Sequence, residues 1–464
     1  MNLEAIGARL KAAVIDLFQT IAGSLEARYL MVRAALAAIW SLLNAAAGLF
    51  GGPKPFKERI AEFLGRTSVQ KDLFAIARLL KPNFSLPKQI TSVPNTGSVV
   101  VTRAADVIEV LDREADFGVV YGDKMIKLTG GDNFYLGMQN GAAYQRDVSF
   151  MRLTMRREDA ETLIAPLVRR KAQELLAAHP SGVDLPVDLT LQVPTHMVAE
   201  YFGVPGPSPQ AMIDWASILF DWLFFELDFS QAVEDRALIA AKELRDAVAD
   251  AIAQRKANGV QKTDLIGRAL ELQKASPDEF SDHYIRNLLV GLIIGAIPTI
   301  SKASCQALSQ LLDRPEALAG AQAAAKAGDE ARVGAHLFEA LRYDPINAVI
   351  YRKANRDTVI ARSSLRAKKI KKDEMVFASN LSAMFDPLKV KKPENFDPDR
   401  PWGDYILWGY GMHTCSGAQI NRLAIPAMLT PLLARSGLRR AAGAAGQIDL
   451  QGTKFPVHFR LEND

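Results

Sequence analysis

The chain has 464 residues, which is long enough for one large domain or two ordinary ones. With 49% hydrophobic and 23% charged residues it has the composition of a folded globular protein, and its net charge of +4, with no stretch that interleaves basic and aromatic residues, does not indicate a nucleic-acid partner. Its two cysteines, Cys305 and Cys415, exclude a disulfide framework and a four-thiolate metal site, and they fit a reducing compartment such as the cytoplasm.

The N-terminal stretch is predicted to stand apart from the rest of the chain. Residues 34–50 carry no charge, but this run of seventeen residues is shorter than the ~20 that a membrane-spanning helix needs. The residues before it alternate apolar and charged side chains at helical spacing, and no secretory signal pattern is visible. The sequence GGPKPF at 51–56 predicts a hinge. We therefore predict a helical extension over residues 1–56, which either packs on protein or lies at a membrane surface.

Residues 57–464 are predicted to form one domain that is mainly α-helical with small β-sheets (α+β). A strand followed by a helix is expected over residues 98–114, and helical patterns dominate from about 150 to 343. An irregular Pro- and Asp-rich stretch occupies 385–405, and a last helix follows Cys415. Shorter strands are predicted at 348–354, 357–364, 373–379 and 452–461.

The residues with the clearest chemical meaning are WGYGMHTCSG at 408–417. Glycines such as Gly409 and Gly411 let the backbone approach a bulky flat ligand and tolerate positive φ. Cys415 comes just before a helical run, so its sulfur should face the positive end of a helix and several free N–H groups. Both effects favour the thiolate, which is the form of cysteine that binds metals. His413 could reach an anionic carboxylate.

Two further short motifs are expected to pin the irregular stretch against a helix. Glu339 and Arg342 lie three residues apart in HLFEALRYDP, so they share one helix face among apolar neighbours. Arg400, in FDPDRP, comes fifteen residues before Cys415. Because bidentate Arg–carboxylate pairs are geometrically specific, a buried Glu with two Arg can fix a segment that has no regular structure.

The E-x-x-R, P-x-R and Gly-rich C-x-G motifs, in this order, resemble those of the cytochrome P450 family over roughly residues 70–464. The resemblance implies the fold of that family, with haem b between a long central helix and the helix after the Cys loop. It implies that Cys415 is the proximal iron ligand. It also implies that Glu339, Arg342 and Arg400 form the buried triad behind the haem.

The same resemblance assigns residues around the haem edge. His413 matches the position that contacts a haem propionate, and Arg352 matches an Arg that does so from the strand after the E-x-x-R helix. Gly411 is expected to keep the loop close to the haem. Trp408 stands where the family usually has Phe beside the thiolate. Its indole either fills space, which we favour, or adds a hydrogen bond near the sulfur.

The long helix before the E-x-x-R helix departs from the family pattern. Where the family has an acid followed by Thr to deliver protons for dioxygen activation, this chain has Pro298 followed by Thr299. No carboxylate lies between Asp282 and Asp313. Since Pro lacks an N–H and clashes with the carbonyl of Ile294, the helix is expected to kink and to hold a water there.

Two other regions leave alternatives open. The family often has His-x-x-x-Arg in an earlier helix, where this chain has Tyr144 with Arg146 and Arg152 nearby. Any of these could serve the propionates, or all could be surface residues. The aromatic run at 215–229 is either helix core or the roof of a pocket for a large apolar substrate.

The resemblance implies an oxidoreductase, most simply a monooxygenase acting on an apolar small molecule of lipid or terpenoid type. Electrons would come from NAD(P)H through a ferredoxin or flavodoxin type donor. The missing acid supports an alternative that starts from peroxide, as a peroxygenase or a fatty-acid hydroperoxide isomerase does. A non-catalytic haem-binding protein is the remaining possibility. The expected location is cytoplasmic, with contact to a membrane surface through residues 1–56.

Overall fold

Helices make up most of the fold in the computed structural model, which describes residues 3–46, 49, 55–259 and 263–464, with side chains from residue 23 onward. Residues 51–54 of the hinge predicted at 51–56 lie outside the described residues. The α-helices are α1 Leu3–Ala46, α2 Phe56–Gly65, α3 Thr67–Leu80, α4 Ala104–Asp112, α5 Gly122–Thr129, α6 Ala142–Thr154, α7 Ala165–Ala177, α8 Gln192–Met197, α9 Pro209–Phe220, α10 Gln231–Ala257, α11 Leu265–Ala275, α12 Asp282–Leu312, α13 Pro315–Lys326, α14 Glu330–Tyr343, α15 Asn380–Ala383 and α16 Ala418–Leu433.

Three small sheets lie among these helices. Five strands form one sheet in the order β1-β2-β8-β5-β3, in which β2 and β8 run parallel and the other pairs antiparallel. The second sheet has the order β4-β10-β9, and β6 pairs with β7. The strands are β1 Asn83–Leu86, β2 Gly97–Val101, β3 Phe117–Gly118, β4 Gly182–Asp184, β5 Ile350–Ala354, β6 Thr358–Ile360, β7 Lys368–Ile370, β8 Glu374–Ala378, β9 Arg439–Arg440 and β10 Arg460–Glu462.

The long helix α12 forms the centre of the core. Its side chains are apolar on almost every face, which is typical of a helix that is surrounded by protein. It packs against α9, α10, α14 and α16. Among the described residues, two helical stretches are long and apolar enough to cross a membrane, namely Gly23–Ala46 and Asp282–Leu312, but most of the second is buried within the fold. This second stretch is therefore a core helix.

The N-terminal helix α1 packs along α3 through small residues. Ala27, Met31, Ala35 and Ala38 are buried on that side. The opposite side presents large apolar side chains at spacings of three and four residues. These exposed residues are Leu25, Tyr29, Val32, Leu36, Ile39, Trp40 and Leu43.

The secondary structure agrees with the predicted fold class and differs in detail. The strand β7 was not predicted, because its sequence KKI offers one apolar residue and no alternation. The closing strand is limited to β10, since Pro456 and the turn before it occupy most of the predicted range. Four π-helical segments interrupt or extend the helices, at Ala160–Ile164, Leu185–Thr190, Val198–Phe202 and Asp221–Phe225. Sequence periodicity does not distinguish such segments from α-helix.

Two segments far apart in sequence are joined by four hydrogen bonds. The carbonyl of Leu227 accepts the N–H groups of Thr91 (2.9 Å) and Ser92 (3.1 Å). The Ser92 hydroxyl donates to the carbonyl of Glu226 (2.8 Å), and the N–H of Phe229 donates to the Thr91 hydroxyl (3.0 Å). The segment before β2 and the loop between α9 and α10 are thereby held together.

Candidate haem-thiolate site

Cys415 lies in the loop immediately before α16, as its sequence context predicts. Its own N–H donates to the carbonyl of Trp408 (2.9 Å), which fixes the loop, and the N–H groups of Gly417 and Ala418 point at its sulfur. The Cys415 residue has some accessible surface, but its sulfur is shielded from bulk water. This shielding has the largest influence on the pKa of the thiol. Burial raises the pKa of the Cys415 thiol, and the two N–H groups oppose this rise. The N–H groups at the start of the helix thus favour the thiolate. Contrary to our prediction, burial has the larger effect on the pKa and favours the thiol.

Gly411 holds the loop against α4. Its φ is 71°, in the left-handed region, and a Cβ at this position would lie 2.8 Å from the carbonyl oxygen of Leu111. Gly409 also has a positive φ, of 82°. Any other residue at Gly411 would combine backbone strain with a steric clash, so the turn that presents Cys415 depends on this glycine.

The structure brings Glu339, Arg342 and Arg400 together in a buried cluster. Arg342 donates through Nη2 to Glu339 Oε1 (2.6 Å) and through Nε to Oε2 (2.9 Å), and Arg400 Nε lies 3.2 Å from Oε2. All three side chains are buried. Sequence reasoning missed two further donors to Glu339, the Tyr405 hydroxyl (3.1 Å) and the N–H of Asp397 (3.0 Å). The carboxylate therefore joins α14 to the irregular stretch at three points, Asp397, Arg400 and Tyr405.

Trp408 fills space between aromatic rings. It stacks on Trp402, with ring centroids 5.3 Å apart, and meets the edge of Phe338 at 5.3 Å. The described contacts include no hydrogen bond from its indole to Cys415. The geometry thus matches the space-filling interpretation.

Buried donors without partners collect near the other end of the loop. Arg352, on β5, is buried, and its Nε has no hydrogen-bond partner within the described part of the chain. His413 is in the same state, since its Nε2 lies 3.3 Å from the Glu114 carboxylate but without hydrogen-bond geometry. Tyr144, on α6, donates its hydroxyl to the carbonyl of Met412 (2.8 Å), and its ring meets the edge of the His413 ring at 5.2 Å.

Of the three earlier candidates, only Tyr144 belongs to this cluster. Arg146 pairs with Asp147, and Arg152 is exposed on α6. Tyr144 was difficult to select from the sequence because its role depends on how α6 packs against the Cys loop. Tyr135, which shares a hydrogen bond of 2.8 Å with Ser416, carried no sequence signal.

These residues fit a haem group. A single thiolate, a glycine-containing loop and unpartnered buried donors are what an iron porphyrin with two carboxylate side chains requires. Cys415 would bind the iron, and Arg352 and His413 would bind the propionates. The other cysteine is unsuited to this role. Cys305 is fully buried in α12 beside the Thr190 hydroxyl (3.6 Å), and burial raises the pKa of its thiol to about 12.

On the other side of this core, the middle of α12 borders open space. Gly295 is exposed although Ile294 and Ile297 are buried, and nothing lies within 4 Å of the Cβ position of Gly295. The Thr299 hydroxyl donates to the carbonyl of Gly295. The helix continues on both sides of Pro298, whose missing N–H leaves the carbonyl of Ile294 without its usual donor. Because the Thr299 hydroxyl uses its hydrogen for the carbonyl of Gly295, its oxygen can still accept a hydrogen bond.

Much of the aromatic run at 215–229 packs in the hydrophobic core. Trp222 is completely buried. Phe220 and Phe225 contact Phe455 near the C-terminus, with ring centroids 5.8 and 5.7 Å apart. The core interpretation thus holds for these residues, and the roof of a substrate pocket stays a prediction.

Comparison with known proteins finds partial sequence similarity and a closely similar fold. No family model matches the chain. The erythromycin C-12 hydroxylase of Saccharopolyspora erythraea is 28% identical over 276 residues, which are 59% of this chain and 66% of that protein. A bifunctional dioxygenase–epoxy alcohol synthase of Fusarium oxysporum is 26% identical over 325 residues, which are 62% of this chain and 24% of that protein. The matches thus cover just under two thirds of the first relative's length and about a quarter of the second's.

Among solved structures, the ligand-free cytochrome P450 TbtJ1 superimposes with a TM-score of 0.70 and 20% identity, over 89% of this chain and 100% of that one. At 20% identity this similarity shows the fold alone.

Proposed function

The chain belongs to the cytochrome P450 family, and from this premise we propose that it is a haem-thiolate monooxygenase of an apolar small molecule. The observation that carries the proposal is the Cys415 loop, with backbone N–H groups at the sulfur and unpartnered donors on Arg352 and His413. Haem supplies the oxidation chemistry when it is bound, and a thiolate ligand favours O–O bond cleavage. The role of the protein is to orient the substrate, to exclude water and to move protons.

Proton delivery is assigned to Thr299. Its hydroxyl hydrogen is engaged with the carbonyl of Gly295, so its oxygen is free to accept a hydrogen bond from water. The carbonyl of Ile294, whose usual helical donor is missing at Pro298, offers a second acceptor one residue away from Gly295. A water that donates one hydrogen to either acceptor would keep its other hydrogen for proton delivery and would take the place of the acid that Pro298 replaces.

The second candidate function uses peroxide and is favoured by the same Pro298. A reaction that begins from hydrogen peroxide or a fatty-acid hydroperoxide does not need an acid for dioxygen activation. The relative from Fusarium oxysporum includes an epoxy alcohol synthase, which supports this alternative. The monooxygenase remains our first proposal because Thr299 is present.

The two functions are separated by supplying each oxidant to the purified protein. We expect product from a lipid or terpenoid substrate with ferredoxin, its reductase and NAD(P)H, and little product with hydrogen peroxide or a lipid hydroperoxide alone. The reverse result would establish the peroxide function. No turnover with either system would leave a non-catalytic haem protein.

A ferredoxin or flavodoxin type electron donor is proposed to dock near the start of α16. Arg422 is exposed there, seven residues after Cys415, with its guanidinium 4.0 Å from the centroid of the Trp402 ring. An acidic donor would gain from this charge. Arg422→Glu should raise the KM for the donor protein and leave turnover with peroxide unchanged.

We also propose that the protein is cytoplasmic and touches a membrane surface through α1. The exposed apolar side of α1 carries Trp40 and Tyr29, residues that favour the interface of a bilayer, and residues 34–50 hold no charge. Deleting residues 1–56 should abolish flotation with anionic liposomes and keep haem binding. Replacing only Leu36, Ile39, Trp40 and Leu43 by Gln should do the same. Full-length protein that never floats would contradict the proposal.

A further inference from the structure

Lys302 is a cation that packs against the hydrophobic core of the protein. It lies on α12 three residues after Thr299 and seven after Gly295, so the three residues share one face of the helix. Successive residues of an α-helix rise 1.5 Å, which puts Lys302 about 10 Å along the axis from Gly295. Its side chain is half-buried, whereas Ser301 and Ala303 beside it are buried. Lys302 thus lies on the same face of α12 as Gly295 and Thr299, with part of its side chain accessible.

The surroundings of the Lys302 ammonium group are aromatic. Nζ lies 4.4 Å from the centroid of the Phe225 ring and 5.8 Å from that of Phe455. These rings contact each other and Phe220. Cation–π contacts return only part of the hydration free energy that an ammonium group loses on burial.

No carboxylate of the described chain neutralises this charge. Lys302 makes neither an ion pair within 4.0 Å nor a side-chain hydrogen bond among the described residues. Asp344 and Asp221 act on it only at longer range, together with the exposed Lys454. Asp344 is engaged instead with the Thr67 hydroxyl at 2.6 Å. Burial lowers the pKa of Lys302 to about 8, so the side chain is mostly charged at neutral pH.

We propose that Lys302 binds the carboxylate of an apolar carboxylic-acid substrate. A carboxylate would supply both the opposite charge and the hydrogen-bond acceptor that the ammonium group lacks. The adjacent phenylalanine rings would accommodate an apolar chain. The inference rests on the proposed function, because it names the class of molecule oxidised at this site.

The test compares dodecanoic acid with its methyl ester, which differ in charge and little in shape. Binding to the full-length holoprotein is measured by calorimetry and by the shift of the Soret band. We expect the acid to bind more tightly than the ester in the wild type. Lys302→Met should weaken acid binding by about 10- to 100-fold, since hydrogen bonds to charged groups are worth this much. Ester binding should stay unchanged.

Two variants serve as controls. Lys302→Arg keeps the charge and should keep the preference for the acid. Lys454→Met removes an exposed cation that influences Lys302 and should also keep the preference. Loss of the preference in Lys454→Met but not in Lys302→Met would overturn the proposal.

The remaining outcomes are equally clear. Equal affinity for acid and ester in the wild type, or no binding of either, overturns the proposal. Lys302→Met should fold normally, because it replaces a half-buried ammonium group without a counter-charge by a neutral side chain of similar length. The carbon monoxide spectrum of each variant reports the haem-thiolate centre separately. A failure of the proposed function would appear in that spectrum, whereas a failure of the Lys302 inference would appear only in the affinities.

Discussion

The Cys415 side of the core and the α12 side are built on opposite principles. On the Cys415 side the loop is pinned by satisfied contacts, and Glu339 alone receives hydrogen bonds from four residues of two segments, α14 and the irregular stretch. On α12, the helix combines a proline, a carbonyl without its donor and the unpaired ammonium of Lys302. The first side must hold a cofactor of fixed shape, so the groups that fix the loop are matched within the protein, and the unmatched donors there, on Arg352 and His413, are those assigned to the haem propionates. The second must receive a substrate, so polar groups remain unmatched there.

Removing the sulfur should have the largest effect, because it removes the only proposed iron ligand. Cys415→Ser should abolish the strongly red-shifted Soret band that a reduced thiolate-ligated haem shows with carbon monoxide. Cys305→Ser is the matched control and should keep this band, since Cys305 is buried on α12 away from the loop. Loss of the band in the Cys305 variant would reverse the assignment.

Breaking the Glu339 cluster should cost nearly as much. Glu339→Ala leaves Arg342 buried without a counter-charge and leaves Arg400 with only Asp404, whose Oδ2 lies 4.0 Å from its Nη1, a change worth about 3–5 kcal/mol. We expect almost no soluble haem-loaded protein. Tyr405→Phe removes one hydrogen bond to the same carboxylate and should cost about 1 kcal/mol in chemical denaturation. Comparable yields of the two variants would show that the cluster does not support the loop.

On α12, the informative change is Thr299→Ala. A positioned proton donor is typically worth 10²–10⁴-fold in rate. Product formation with the reductase system should therefore fall by about 10²-fold, while NAD(P)H consumption continues and hydrogen peroxide accumulates. Thr299→Ser keeps the hydroxyl and should remain coupled. An alanine variant that forms product in step with NAD(P)H consumption would contradict the role of Thr299.

The smallest expected effect is a pH dependence of ligand binding. Because the pKa of Lys302 is lowered to about 8, its charge is present at pH 7 and largely lost by pH 9. Asp344, Asp221 and Lys454 are the other charged groups that influence it. The affinity for dodecanoic acid should fall about tenfold over this range in the wild type and stay constant in Lys302→Met. A fall of equal size in both proteins would assign the dependence to another group.

The same contrast explains what could be predicted from the sequence. Glu339, Arg342, Arg400 and Cys415 occur in short motifs whose spacing encodes their geometry, so their proximity was foreseeable. Tyr405 contacts Glu339 from sixty-six residues away, and only the path of the irregular stretch brings it there.

Lys302 was overlooked for a related reason. In a helix whose other residues are mostly apolar, a single lysine is usually taken to reach solvent along its stem. Whether it does so depends on rings contributed by Phe225 and Phe455, which are distant in sequence. The pairing of α6 with the Cys loop through Tyr144 was hidden in the same way.

The four hydrogen bonds between residues 91–92 and 226–229 have a kinetic consequence. Each is worth about 1 kcal/mol net, so separating the two segments costs about 4 kcal/mol. At 1.4 kcal/mol for each factor of ten, about one molecule in a thousand is open at any moment. For a ligand that passes between these segments, the association rate constant would therefore be about a thousand times smaller than the rate constant of diffusional encounter. Once inside, it would leave at the same slow pace, so residence times would be long even for modest affinity.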